Sequence, residues 1–296
     1  MHAEKLCDLC PAFFSGGMVK EDMESFFSFL EKRVDDCSSL LCVGLDPHIP
    51  DLPEPTAAGA LTFCLSLVKQ TAPYAAAFKP NAAFFEQFGA EGWTVLKQVI
   101  TAIAEESARM GSMIPVILDA KRGDISSTAE AYAQSAFETL GAHCTTLSPY
   151  LGKDSLDPFI RNSEKGVFLL CKTSNPGSVD LQDIALPDGD LLYEHVAKLA
   201  QSWNAKNNIG LVVGATQPEA LTRVRAAVPT MWFLAPGVGA QGGELESALK
   251  AGLRKDGKGI LLPVSRGISR AKNPALAAAE FRDQILVSRR QFRSQG

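Results

Sequence analysis

The chain has 296 residues, 46% hydrophobic and 21% charged, with a net charge of -4 at pH 7. That length suits one α/β barrel of about 250 residues with insertions, and no segment approaches the ~18 consecutive apolar residues of a membrane span. The acidic balance and the absence of any Lys/Arg run exclude a general nucleic-acid binder, so an anionic ligand must be held by a local site.

The opening MHAEKLCDLC has no cationic stretch leading into an apolar one, so no secretory signal is expected and the cytoplasm is the expected compartment. Seven cysteines are scattered along the chain. Cys42, Cys64 and Cys171 fall in apolar runs and read as small buried hydrophobes. Cys7 and Cys10 form a CxxC pair with no second pair or nearby histidines, so residues 1–20 read as an N-terminal extension rather than a zinc site. A single barrel domain is expected over 21–296. A helix at about 22–34, carrying Phe26, Phe27, Leu30 and Val34, precedes the first strand and is expected to cover the bottom of the barrel.

From there, short apolar runs alternate with longer stretches of 3.6-residue periodicity, the pattern of βα units around a parallel sheet. Eight runs can be counted: LLCVGLD ending at Asp46, AAAFKP around Lys79, IPVILDAK through Lys121, CTTLSP from Cys144, GVFLLCK ending at Lys172, NIGLVVGA ending at Ala215, MWFLAP ending at Pro236 and GILLPVS ending at Ser265. Each is nearly continuously apolar, as a strand buried on both faces must be. The clearest helix between them is 91–109, where Val95, Leu96, Val99, Ile100 and Ile103 share one face. Others are expected at about 57–70, 127–140, 153–162, 190–204, 217–227 and 243–254, and a last one opens at Asn273-Pro274, an N-cap followed by proline at the first helical position. Eight units without a linker point to a (β/α)8 TIM barrel with an extra N-terminal helix, since a doubly wound sheet would leave units over.

Functional side chains in such a barrel gather at the C-terminal ends of the strands, and charge is plentiful there. Asp46 ends the first run, Lys79 the second, and Asp119 and Lys121 the third, with Asp124 just beyond. A charge in an apolar strand costs several kcal/mol, on the order of 3–5 when its partner is removed, so these residues imply mutual pairing or a ligand. Residues two apart on a strand share a face, which puts Asp119 and Lys121 on the same side. Asp124 falls in the following loop, able to fold over the mouth or reach a neighbouring subunit. The alternative is a solvated strand end whose ion pairs contribute little.

A second cluster follows the last two strands. PGVGAQGG, from Pro236 to Gly243, and SRGI, from Ser265 to Ile268, occupy the positions where barrels frequently hold phosphate. Arg266 supplies a fork that can grip two phosphate oxygens. Gln241 lies among Gly237, Gly239, Gly242 and Gly243, in a segment suited to a lid. No Walker loop, dinucleotide fingerprint or HExxH spacing is present, and none of the four histidines (His2, His48, His143, His195) is placed for catalysis. Chemistry would then rest on lysine as proton donor and on preorganised charge.

The segments GLDP, FKPNAAFFE, LDAKRGDISST, TSNPG, PGVGAQGG and SRGI, in this order from about Leu41 to Ile268, together resemble the orotidine 5'-monophosphate decarboxylase family, in the branch with FKPN and DAKRGDI wording. The resemblance implies a cofactor-independent lyase of pyrimidine biosynthesis that converts orotidine 5'-monophosphate to UMP and uses no metal. It implies that Lys121 donates the proton to C6 of the pyrimidine, that Asp119 sits beside the scissile carboxylate, and that Lys79 and Asp124 complete the charge array. It further implies that Asp46 binds the ribose, that Ser174 faces the pyrimidine edge, and that Asn81 and Pro236 line the pocket. Gln241 and Arg266 match the phosphate-closing residues, with Ser265 beside them. Asp124, Ile125 and Thr128 would come from the partner subunit of a homodimer with shared active sites. A metal-dependent sugar-phosphate decarboxylase or aldolase-like synthase on the same barrel is the nearest rival, separable by sensitivity to EDTA, and a silent nucleotide-binding barrel is a second.

Overall fold

The computed structural model describes residues 25–238 and 242–295, so the expected extension at 1–20, with Cys7 and Cys10, lies outside the described residues. Among the described residues eight strands run parallel: β1 (Leu41–Leu45), β2 (Ala77–Pro80), β3 (Ile117–Arg122), β4 (Cys144–Leu147), β5 (Gly166–Lys172), β6 (Ile209–Val213), β7 (Phe233–Leu234) and β8 (Ile260–Val264). Their order is β2-β1-β8-β7-β6-β5-β4-β3. The ring closes where β2 meets β3 through parallel bridges at Phe78–Val116 and Asn81–Asp119, reinforced by the Ala82 N–H on the Asp119 carbonyl at 3.1 Å. The expected barrel is observed, with all eight apolar runs as its staves. Most strands are buried along their whole length, while β3 emerges only after Asp119.

The helices are α1 (Phe26–Cys37), α2 (Ala57–Thr71), α3 (Ala83–Glu86), α4 (Gly89–Met110), α5 (Ser126–Gln134), α6 (Asp157–Ile160), α7 (Val179–Gln182), α8 (Leu192–Trp203), α9 (Pro218–Ala227), α10 (Gly242–Gly252), α11 (Arg266–Ser269) and α12 (Pro274–Gln295). Side chains cap the start of some of them. Thr56 Oγ1 accepts from the Gly59 N–H at 3.1 Å to start α2, and Asn273 Oδ1 accepts from the Leu276 N–H at 3.1 Å to start α12, the N-cap expected from Asn273-Pro274.

Two expected helices are interrupted. The segment 153–162 holds a 3-10 turn at Lys153–Ser155 and then the four residues of α6, because Pro158 lacks an N–H and fits only the first turn of a helix. The segment 127–140 leaves α-geometry after Gln134 and widens into a π-turn, Ser135–Thr139, closed by the Leu140 N–H on the Ser135 carbonyl at 2.9 Å.

The N-terminal helix does close the bottom of the barrel. Phe27 stacks on Trp232, which precedes β7, with ring centroids 6.1 Å apart, and meets Phe168 of β5 edge-on at 5.6 Å. The Phe26 ring lies over Gly166, the first residue of β5, so closely that a Cβ there would stand 2.2 Å from it. Glycine at 166 is therefore a packing requirement.

At the same end, His143 just before β4 holds the start of β3. Its Nδ1 accepts the Val116 N–H at 3.1 Å, which requires that nitrogen to be unprotonated. Burial, aided by the nearby Lys165 ammonium, pushes its pKa down from 6.5 to about 4. An unfolded chain takes up the proton near pH 6.5 and the folded chain only near 4, so this contribution is complete above 6.5 and is lost as pH falls toward 4. The loss should reach about 3 kcal/mol at most. Urea midpoints measured from about pH 7.5 to 5 should fall for the parent and flatten in His143→Gln, which keeps an acceptor without a titrating ring; equal slopes would remove His143 from the account.

Candidate active site

Three charged side chains meet at the mouth of the barrel. Lys79, at the end of β2, donates to Asp119 Oδ2 at 2.8 Å, and Lys121, at the end of β3, donates to Asp119 Oδ1 at 2.6 Å. Lys79 and Asp119 are 7% and 9% exposed, so neither charge is stable there without the other. Burial disfavours ionisation of Asp119, but the two ammonium groups outweigh it and hold the carboxyl well below the usual carboxylate range. Burial likewise opposes the charge on Lys79, and Asp119, with Asp46 behind it, holds its pKa above the ordinary lysine value. The Lys121 side chain is half exposed. Arg122, the next residue, turns outward to Glu86 at 2.5 Å and lies over the Tyr132 ring.

Beside this array is a cavity of about 590 Å³, lined by Gly44, Asp46, Lys79, Pro236, Gly237, Val238, Ser265, Arg266 and Arg270 among others. It thus joins the ends of β1, β2, β7 and β8, and Lys79 belongs both to its wall and to the array. Two wall atoms, Asp46 Oδ1 and Ser265 Oγ, are buried without a hydrogen-bond partner among the described residues. Buried polar atoms are ordinarily paired, and an unpaired one marks a place where a ligand atom fits. Arg266 opens the short α11 and is exposed, entering no ion pair among the described residues.

The remaining expected residues are arranged less directly. Asn81 lies at the β2–β3 closure, and its Oδ1 accepts from the Ala83 N–H at 3.2 Å. Ser174 is exposed on the loop after β5, its backbone against Gly214 at the end of β6. Asp124, Ile125 and Thr128 lie at the entry to α5, past the end of β3, and their hydrogen bonds among the described residues are local, none reaching Lys79, Asp119 or Lys121. Asp124 Oδ1 accepts the Ile125 N–H at 2.8 Å, and Asp124 enters no ion pair among the described residues. Ile125 is half exposed and Thr128 is exposed. Gln241 and Gly239 lie outside the described residues.

Sequence reasoning passed over three groups. Thr146 of β4 donates to Asp119 Oδ1 at 3.0 Å. Lys172, buried at the end of β5, donates to Asp183 at 2.6 Å and Ser178 at 3.1 Å and so clamps the loop that carries Ser174. Arg270 stands on the cavity wall with its Nε on Asp51 Oδ2 at 2.9 Å. The signal for Lys172 was a charge closing an apolar run, whereas Thr146 had none that set it apart from Thr145 and Ser148 in CTTLSP.

Fold and site together define a (β/α)8 barrel with a preformed Lys-Asp-Lys charge array opening onto a pocket with an arginine at its edge. The sequence matches the family described as Orotidine 5'-phosphate decarboxylase / HUMPS over residues 39–281. It is 50% identical over 262 residues to the orotidine 5'-phosphate decarboxylase of Roseiflexus castenholzii, covering 87% of this chain and 93% of that one. Among solved structures, the OMP decarboxylase of Leishmania donovani is 54% identical with a TM-score of 0.81, covering 90% of this chain and 99% of that one. The UMP synthase of the same organism is 56% identical with a TM-score of 0.82, covering 90% of this chain and 56% of that one. The chain belongs to the orotidine 5'-phosphate decarboxylase family.

Proposed function

We infer that the chain is a carboxy-lyase that decarboxylates orotidine 5'-monophosphate to uridine 5'-monophosphate, with Lys121 as the proton donor. The family supports the reaction, and the carrying observation for the mechanism is that one buried carboxylate, Asp119, holds two ammonium groups in place at the mouth. In the reaction the bond between C6 and the carboxyl carbon breaks, CO2 leaves, and the electron pair stays on C6. A proton then passes from Lys121 Nζ to C6, and the neutral amine recovers a proton from solvent. Two ammoniums against one carboxylate leave the array of a single chain at net +1, and it is the fixed ammonium of Lys121, not the net charge of the completed site, that answers the carbanion. Fixed charge acting in a restricted site stabilises developing charge without the reorganisation that water would need.

In this reading Asp46 and Ser265, with their unpaired oxygens, receive the ribose and phosphate end, Arg266 and Gln241 close on the phosphate, and Pro236, Asn81 and Ser174 border the base. Asp124, Ile125 and Thr128 reach the site of a partner subunit in a homodimer. Residues 21–296 act as one barrel domain behind an extension at 1–20, in a soluble cytoplasmic enzyme. Among the described residues no helix is long and apolar enough to cross a membrane. The test of the function is loss of orotate absorbance on incubation with orotidine 5'-monophosphate. Full rate after EDTA treatment is expected, since both Asp119 oxygens already accept from ammonium groups. No turnover, or turnover restored only by a divalent ion, would overturn the reading in favour of the metal-dependent rival.

Arg266→Ala should lower kcat/KM for the nucleotide by roughly two to three powers of ten, because a bidentate charge-assisted contact that drives closure is lost. Orotidine, which lacks the phosphate, should react equally slowly with both proteins. A comparable loss on orotidine would show that Arg266 does not hold the phosphate.

A further inference from the structure

β3 departs from a regular strand where it carries the array. Its register against β4 passes from Leu118–Thr145 to Arg122–Leu147, so four residues of β3 advance against two of β4. Lys121 absorbs the difference with φ at 50°, in the left-handed region that a side chain beyond glycine disfavours. Such a conformation persists only where its surroundings hold it.

The holder is identifiable. In a regular strand successive amides point to opposite sides, but the N–H groups of Ala120 and Lys121 both donate to the Thr146 hydroxyl, at 3.0 and 2.9 Å. The hydroxyl's own proton goes to Asp119 Oδ1 at 3.0 Å. One donor and two acceptor sites are all that a hydroxyl has, and each is spent on the Asp119–Lys121 turn. Thr146 is 1% exposed, so solvent is poorly placed to substitute.

We propose that Thr146 is a positioning residue for the decarboxylation, its hydroxyl holding the bulged backbone of β3 so that Asp119 and Lys121 enter the same opening in register. It touches the array and the backbone, and acts on the substrate only through them. The inference rests on the assignment of Asp119 and Lys121 to the reaction. Without the hydroxyl the two amides lose their shared acceptor, the turn relaxes toward an extended strand, and Lys121 shifts relative to the pyrimidine. Misplacement of about 1 Å costs about a hundredfold in rate.

A matched control is built into the same strand. Thr145 is also 1% exposed, and its hydroxyl donates to the Leu118 carbonyl at 3.0 Å, a contact that leaves the array alone. Thr146→Val should lose about a hundredfold in kcat while its affinity for UMP stays within about threefold of the parent. Thr145→Val should keep kcat within about threefold, and Thr146→Ser, which restores the hydroxyl, should do the same. The proposal is overturned if Thr146→Val keeps its kcat, if Thr145→Val loses as much, or if Thr146→Ser is as slow as Thr146→Val. Should Thr146→Val prove insoluble, Thr146→Ser decides, with a kcat loss beyond about threefold counting against the hydroxyl's role. Lys121→Ala separates the two levels. If that variant is active the array reading itself fails, whereas an inactive Lys121→Ala beside a normal Thr146→Val sinks only the role of Thr146.

Discussion

Lys121→Ala should yield a folded chain that binds UMP and decarboxylates at least about ten-thousand-fold more slowly than the parent. The lysine is asked for two things at once, a fixed positive charge beside the carbanion and the proton that quenches it. Each alone is worth about two to four powers of ten. Folding should survive because the side chain is half exposed, and alanine meets the same backbone restriction at φ 50° as lysine does. Asp119 also keeps its second partner, Lys79 at 2.8 Å, so the substitution leaves no bare buried charge. Titration with UMP followed by single-turnover measurement would separate binding from chemistry. Activity within tenfold of the parent would remove Lys121 from its role.

Subunit mixing should restore activity to two dead proteins. Asp124 lies past the end of β3, bonded to no member of its own chain's array among the described residues, with Ile125 exposed beside it, and we propose that this edge completes the site of a two-fold partner. A carboxylate brought to an array of net +1 would neutralise it and give Lys121 a second counter-charge. In a mixed dimer of Lys121→Ala and Asp124→Ala, one site combines the intact lysine of one chain with the intact aspartate of the other, and the second site carries both lesions. Pure mixed dimer should recover up to about half the activity of the parent, and random re-pairing of equal amounts about a quarter. If mass spectrometry confirms exchange and no activity returns, Asp124 acts within its own chain.

Much of this was legible because burial on both faces leaves a plain trace. β1, β6 and β8 are apolar at every position that matters, and the charged residues interrupting the pattern at Lys79 and Asp119 proved to be paired. The Asp119-Lys121 spacing led to the right neighbourhood by an incomplete route. Alternation along a regular strand would have sufficed, yet the strand bulges and the two side chains converge through a left-handed backbone held from β4. Nothing in LDAKRG announces that turn, because its cause is a hydroxyl 25 residues away in sequence. Lys172 hid for a different reason. At the end of GVFLLCK it looked like a strand terminus, and only the loop returning Asp183 to it shows what it clamps. Helix boundaries near 135 and 158 were lost to a π-turn and a proline that periodicity does not weigh.

The pairing of Lys79 with Asp119 also constrains how such a barrel could ever lose its trade. A mutation that removes Asp119 leaves two ammonium groups facing each other at the rim, and one that removes Lys79 strips a buried carboxylate of its inner partner. Each first step costs several kcal/mol, about 3–5 for a broken buried pair, whereas an apolar replacement of both partners is close to neutral. Drift away from decarboxylation therefore faces a valley between two viable sequences. Descendants on the far side should carry hydrophobic residues at 79 and 119 together, and intermediates with only one of the two changed should be scarce.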